Sequence, residues 1–255
     1  MKGRGAARTR QLSLVAVFTA VIAVATSFFT VSVPATKGYF NVGETAIYVC
    51  ALLCGGLVGG LSAGIGSMIA DLALGYTLFA PATLLIKGVE GAVVGYLGGR
   101  EVYLGRRMSR VMIGSTAAAL AIIILAAGAG YYTGSVEFSL TLPPTQTGFK
   151  VDVPLAFWVG LAVIAAASAI YIPVRRDPGL SWEILAVLAG GAVMVTGYFL
   201  YEQLILGVAA LVEVPVNVGQ VMIGAVLALP IVRAIRTRIP QASGMSRMDL
   251  IQKIR

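Results

Sequence analysis

Eight apolar runs, separated by short loops of unequal charge, restrict this chain to a membrane fold. The runs cover residues 12–33, two parts of 45–74 divided by the glycines of CGGLVGG, then 82–97, 112–131, 155–172, 182–206 and 216–235. A helix that crosses a bilayer needs about 20 mostly apolar residues. Charged residues make up only 12% of the chain and its mean hydropathy is +0.90, against about 25% charged in a soluble domain. The expectation is an all-α integral membrane protein of about eight transmembrane helices, a single membrane domain over residues 1–255. The first run is too long for a signal-peptide core of roughly 7–15 residues, so it counts as a span. Runs two to four are short, which predicts helices that extend past their apolar runs or lie buried in the bundle.

Charge orients the spans. Of 19 Lys and Arg residues, sixteen fall in four places: Lys2, Arg4, Arg8 and Arg10; Arg100, Arg106, Arg107 and Arg110; Arg175 and Arg176; and Arg233, Arg236, Arg238, Arg247, Lys253 and Arg255. Eight crossings put all four clusters on one side. Basic loops stay in the cytoplasm, so both termini are expected there, in the plasma membrane of a prokaryote. The net charge of +8 is explained by helix ends and anionic lipid headgroups rather than by nucleic acid.

With that topology the remaining charges collect in the outer half. Glu44, Asp71, Lys87, Glu90 and Glu202 fall at one depth on four helices, accompanied by Tyr198, Asn217 and Gln220. Ionisable groups within a membrane are costly, face the bundle interior and mark binding sites or pathways. The bland alternatives are a structural Lys87–Glu90 or Lys87–Asp71 pair, a helix cap at Asn217 and a headgroup position for Glu44. The inner half shows no comparable cluster.

Other chemistries lack their residues. There is no His, the commonest general base and metal ligand. Cys50 and Cys54 lie one turn apart in an apolar run and read as packing. No G-x-x-x-x-G-K-[ST] phosphate loop occurs. No enzyme activity, cofactor or metal site is expected. One stretch changes period: Val136, Phe138, Leu140 and Leu142, then Phe149, Val151 and Val153, alternate with polar residues around Pro143-Pro144. That is a β-hairpin pattern over 135–153, placed outside the cell as a connector or a lid. Ala16, Thr19, Ala20 and Ala23 form a small-residue face on the first helix, suited to close approach by another membrane helix.

Four runs carry a resemblance: PATKGYFNVGETAIYVCALLCGGLVGGLSAGIGSMIADLALGY (34–76), APATLLIKGVEGAVVGYLGG (80–99), GGAVMVTGYFLYE (190–202) and EVPVNVGQVMIGAVLALPIVRAIR (213–236). With the first helix they make the chain similar to the substrate-binding S component of energy-coupling factor (ECF) transporters, riboflavin-type group. The resemblance implies a six-helix vitamin-binding bundle with cytoplasmic termini. The substrate sits near the outer face under the loop after helix one. The expected binding set is Tyr39, Asn41, Glu44, Asp71, Lys87, Glu90, Tyr198, Glu202, Asn217 and Gln220. Ala16 and Ala20 match the helix-one motif that meets the transmembrane coupling subunit, and two ATPase subunits supply the energy. Residues 110–172 depart from the pattern as an inserted helix pair with the hairpin. The ligand is expected to be riboflavin or a related small vitamin. The competing reading is a self-contained proton- or sodium-coupled secondary transporter using the same acids, although the paired broken helices expected of one are not evident.

Overall fold

A computed structural model describes residues 2–33, 38–100, 105–131, 133–142, 145–171 and 179–238. The expected hairpin turn at Pro143-Pro144, Lys37, the basic pair Arg175 and Arg176, and Arg247, Lys253 and Arg255 lie outside these residues. Among the described residues the chain forms α1 (Lys2–Phe28), β1 (Phe29–Val33), β2 (Gly38–Asn41), α2 (Gly43–Cys54), α3 (Gly56–Leu74), α4 (Ala80–Gly98), α5 (Arg106–Tyr131), β3 (Gly134–Leu142), β4 (Thr145–Val153), α6 (Leu155–Tyr171), α7 (Gly179–Leu206) and α8 (Ala210–Arg238). A short 3-10 turn, Gly207–Ala209, joins the last two.

Among the described residues five helices are long and apolar enough to cross a bilayer: α1, α3, α4, α7 and α8. The protein is therefore a multi-pass membrane protein. The expectation of eight full spans needs correction at α2. Its 12 residues give about 18 Å of helix at 1.5 Å per residue, against a hydrocarbon core of about 30 Å. Strand β2 makes up part of the length by entering the bundle, where the Asn41 backbone N–H donates to Gln220 Oε1 of α8 at 3.1 Å. The first apolar run also ends differently. Helix α1 stops at Phe28, and residues 29–33 become β1; hydrophobicity alone does not distinguish a helix end from the β-branched strand FTVSV that follows it.

Gly55, at φ +83°, separates α2 from α3 in a conformation that an L side chain rarely adopts. Helices α3 and α4 then pack backbone against backbone. A Cβ on Gly60 would lie 2.8 Å from the Gly88 carbonyl oxygen, and one on Gly91 2.6 Å from that of Gly59. Small residues are what permits such an approach in lipid, where hydrophobic association is absent. The main core gathers Ile22, Ile47, Tyr48, Val94, Val187 and Val232 from five helices. Helices α5 and α6 pack on each other and meet the rest through a smaller cluster of Ile124, Ala162 and Met222.

The expected hairpin is present as β3 and β4, paired from Gly134↔Val153 to Leu142↔Thr145. It does not stand alone. Strand β1 pairs with β3 through Phe29↔Leu140, Thr30↔Ser139 and Val31↔Phe138, and with β2 through Thr30↔Asn41 to Val33↔Gly38. The result is one antiparallel sheet in the order β2-β1-β3-β4. It sits where α1 ends and α2 begins.

Candidate functional site

Beneath β2, the sheet end of the bundle encloses a cleft of about 60 Å³. Tyr39 and Asn41 line it from β2, Asp71 from α3, Thr83 and Lys87 from α4, Tyr198 and Glu202 from α7, and Asn217 and Gln220 from α8. Eight of the ten residues expected from sequence therefore lie on one wall. The other two, Glu44 and Glu90, do not line the cleft. They sit below it and hold Lys87.

That support is fully enclosed. Lys87 Nζ donates to Glu44 and, at 3.1 Å, to Glu90 Oε2. Tyr48 donates its hydroxyl to Glu90 Oε1 at 2.8 Å. Glu90 and Tyr48 are 0% exposed and Glu44 is 1% exposed. A bare charge at this depth costs several kcal/mol, roughly, and two carboxylates around one ammonium offset that cost mutually. The Lys87 ammonium also lies 5.6 Å from the Tyr198 ring centroid. The alternative of a Lys87–Asp71 pair is not what forms, and Glu44 is enclosed by the protein. Its α2 position places it against α8, where Gly224 leaves room for it.

Above Lys87 the wall residues bond to one another. Tyr39 donates its hydroxyl to Asp71 Oδ1 at 2.7 Å. The Thr83 and Tyr198 hydroxyls share a hydrogen bond of 2.9 Å. Gln220 Nε2 donates to Asn217 Oδ1 at 3.0 Å, so Asn217 does more than cap a helix; it is not even near the start of α8, which begins at Ala210. Burial, with Asp71 next, pushes the Tyr39 hydroxyl well above its ordinary pKa. Burial also raises Tyr76, with the Asp71 and Glu213 carboxylates contributing. Both tyrosines thus remain neutral donors.

Tyr76, Phe79, Thr83, Met194 and Glu213 also line the cleft and were not among the expected residues. Tyr76 and Phe79 lie in the α3–α4 connection and carry no helical period. Glu213 had a usable signal, since it lies in the first turn of α8, one helical turn before Asn217. The Tyr39 and Tyr76 rings stack at a tilted 4.6 Å centroid separation.

A second polar cluster, which the charge reading did not anticipate, occupies the opposite end. Glu183 of α7 pairs with Arg233 at 3.3 Å and with Arg236 of α8. Arg236 Nη2 donates to the Leu52 carbonyl at 2.8 Å, and Trp182 Nε1 to that of Leu97 at 2.8 Å. Glu183 is the acid that a search confined to the outer half passes over.

Ala16 and Ala20 are exposed on α1, beside Val17, Val21 and Val24, which are 59%, 47% and 63% exposed. Only 11% of the α1 span is buried. Cys50 is buried and Cys54 half-buried, both as free thiols. Among the described residues no three His, Cys, Asp or Glu side chains are grouped to hold a metal.

A family described as "ECF-type riboflavin transporter, S component" matches residues 6–176, two-thirds of the chain. The chain belongs to that family. The match runs through α1 to α6, including the stretch expected to be an insertion, and ends before α7 and α8. A Pyrococcus woesei protein described as "Uncharacterized protein in gap 3'region" is 36% identical over 105 residues, which is 41% of this chain and 70% of that protein. No solved structure matches. Family membership makes this S component a non-catalytic transport subunit.

Proposed function

We propose that this chain is the substrate-binding subunit of an ATP-driven ECF uptake transporter, and that the cleft beneath β2 takes riboflavin or a related small vitamin. The observation that carries the reading is the convergence of polar side chains from β2, α3, α4, α7 and α8 on one cleft at the sheet end. The cleft of about 60 Å³ is smaller than the roughly 300 Å³ or more of a small-molecule pocket. Entry therefore requires movement of β2, which brings Tyr39 and Asn41 over the opening. A coupling subunit and two ATPases complete the transporter, with Ala16 and Ala20 as the face that meets the coupling subunit. The basic end of the bundle faces the cytoplasm and the sheet faces outside.

Reconstitution with the coupling and ATPase subunits tests this directly. Vitamin uptake into vesicles should require ATP and all partners. Uptake by the isolated chain, driven by a proton or sodium gradient, would make it a secondary transporter instead. Orientation is checked by cysteine labelling. Val151→Cys should react from outside intact cells and Arg107→Cys should not; the reverse pattern inverts the topology.

A further inference from the structure

The strand that roofs the cleft is held unequally along its length. Strand β1 pairs with β2 over four positions, from Thr30↔Asn41 to Val33↔Gly38. Among the described residues it pairs with β3 over only three, from Phe29↔Leu140 to Val31↔Phe138. The hairpin thus backs the base of the β1–β2 ribbon, at Thr30 and Asn41, and stops short of its tip, at Ser32, Val33, Gly38 and Tyr39. The base has further ties. Strand β1 leaves directly from the end of α1, and the Asn41 N–H donates to Gln220 Oε1 at 3.1 Å. Strand β3 is itself paired with β4 over nine positions. The hairpin is carried between α5 and α6, which pack on the bundle through Ile124, Ala162 and Met222.

The tip rests on one side chain. Tyr39 donates its hydroxyl to Asp71 Oδ1 at 2.7 Å, and its ring centroid lies 4.6 Å from that of Tyr76. A two-stranded ribbon without further strands is only marginally stable. Lifting the base, by contrast, breaks a backbone ladder and the Gln220 bond together. Opening therefore costs least at the tip. It takes Tyr39 off the cleft and leaves Asn41, Asn217 and Gln220 in place.

We propose that the roof of the cleft is a lid in two parts. A fixed base at Thr30 and Asn41 is braced by the β3–β4 hairpin. A tip carrying Tyr39 swings outward to admit the ligand, with the Tyr39–Asp71 hydrogen bond as its latch. The inference rests on the reading of the cleft as the vitamin site and supplies its gate. The ligand meets Asn41, Asn217 and Gln220 as a preformed wall, and Tyr39 closes over it last.

Hydrogen–deuterium exchange of the ligand-free protein in detergent reads the lid without any ligand. Tyr39→Phe keeps the ring and removes the latch, with melting temperature as the check on folding. Exchange at Val33 and Gly38 should quicken about tenfold, the effect of losing one hydrogen bond to a charged group, while Thr30 and Asn41 keep the native rate. No change at the tip, or an equal rise at tip and base, overturns the inference. Riboflavin, followed by its fluorescence in stopped flow, reads the gate. The Asn41 N–H points to α8 and away from β1, so alternation along β1 makes Val31↔Phe138 a non-hydrogen-bonded pair, the closer-spaced kind, which a disulfide spans. Val31→Cys with Phe138→Cys, in a chain with Cys50→Ala and Cys54→Ala, fixes the base to the hairpin. Riboflavin entry and release should be the same in the oxidised and reduced protein, and Tyr39→Phe should release riboflavin about tenfold faster. Slower entry on oxidation, or unchanged release from folded Tyr39→Phe protein, overturns the inference. Native protein that binds no riboflavin overturns the vitamin reading, and the exchange measurement then decides the lid by itself.

Discussion

At the end away from the sheet, one carboxylate, Glu183, meets two guanidiniums, Arg233 and Arg236, and Arg236 also reaches the Leu52 carbonyl. At the sheet end, one ammonium, Lys87, meets two carboxylates, and two further carboxylates keep an oxygen without a partner. The first cluster is half open. Its arginine side chains are 28% and 30% exposed, within reach of water and lipid headgroups. The second is enclosed and cannot use water in that way. Excess positive charge at an open helix end costs little. Unpartnered carboxyl oxygens in a buried cleft are costly unless a donor reaches them. The same count of charges thus has a structural meaning at one end and a chemical one at the other.

Substitutions that unbalance each cluster separate these meanings. The largest effect is expected for Lys87→Met, which leaves Glu44 and Glu90 facing each other without a cation. Removing one partner of a buried pair costs about 3–5 kcal/mol. Thermal unfolding in detergent should show a large fall in melting temperature, whether or not a ligand is present. A folded Lys87→Met protein of ordinary stability would mean that the two carboxylates do not depend on Lys87.

Glu183→Ala is expected to cost less, about 1–3 kcal/mol, because the half-exposed arginines can turn to water or headgroups. Ligand affinity should stay near that of the native protein, since the cluster lies at the far end of α7. A loss of affinity without loss of stability would mean that the two ends are coupled.

Glu202→Gln inverts the usual sign. It keeps the size and hydrogen-bonding capacity of a buried side chain whose Oε2 has no partner, so stability should be unchanged or higher, within about 1 kcal/mol, while ligand affinity falls. A marked loss of stability would show that Glu202 is paired within the protein.

Smallest in stability is Ala16→Trp or Ala20→Trp. Both positions are exposed on α1, and surface changes of this kind stay within about 0.5 kcal/mol. Ligand affinity should hold, while co-purification with the coupling subunit and ATP-driven uptake are lost through steric overlap. Normal uptake by the Trp variants would remove α1 from the partner surface.

The membrane class, the approximate positions of the helices and the strand pattern of the hairpin were legible in the sequence because each rests on local periodicity or on charge counted along the chain. The glycines of CGGLVGG marked the break between α2 and α3 for the same reason, and the structure places it at Gly55, whose effect on backbone geometry is local. Asp71, Lys87, Tyr198, Glu202, Asn217 and Gln220 stood out because polar residues in an apolar run do so whatever their partners are, and the cleft brings them together with Tyr39 and Asn41, which lie outside such a run. Three matters were decided by tertiary structure. Lys87 could pair with Asp71, Glu90 or Glu44 by depth alone; Glu90 is three residues on in the same helix, and only the approach of α2 to α4 adds Glu44. The short α2 is completed by β2, which the hydropathy of residues 38–41 does not reveal. The hairpin's place was set by β1, because strand pairing joins residues a hundred positions apart, such as Thr30 and Ser139, through backbone hydrogen bonds that carry no mark in the side chains.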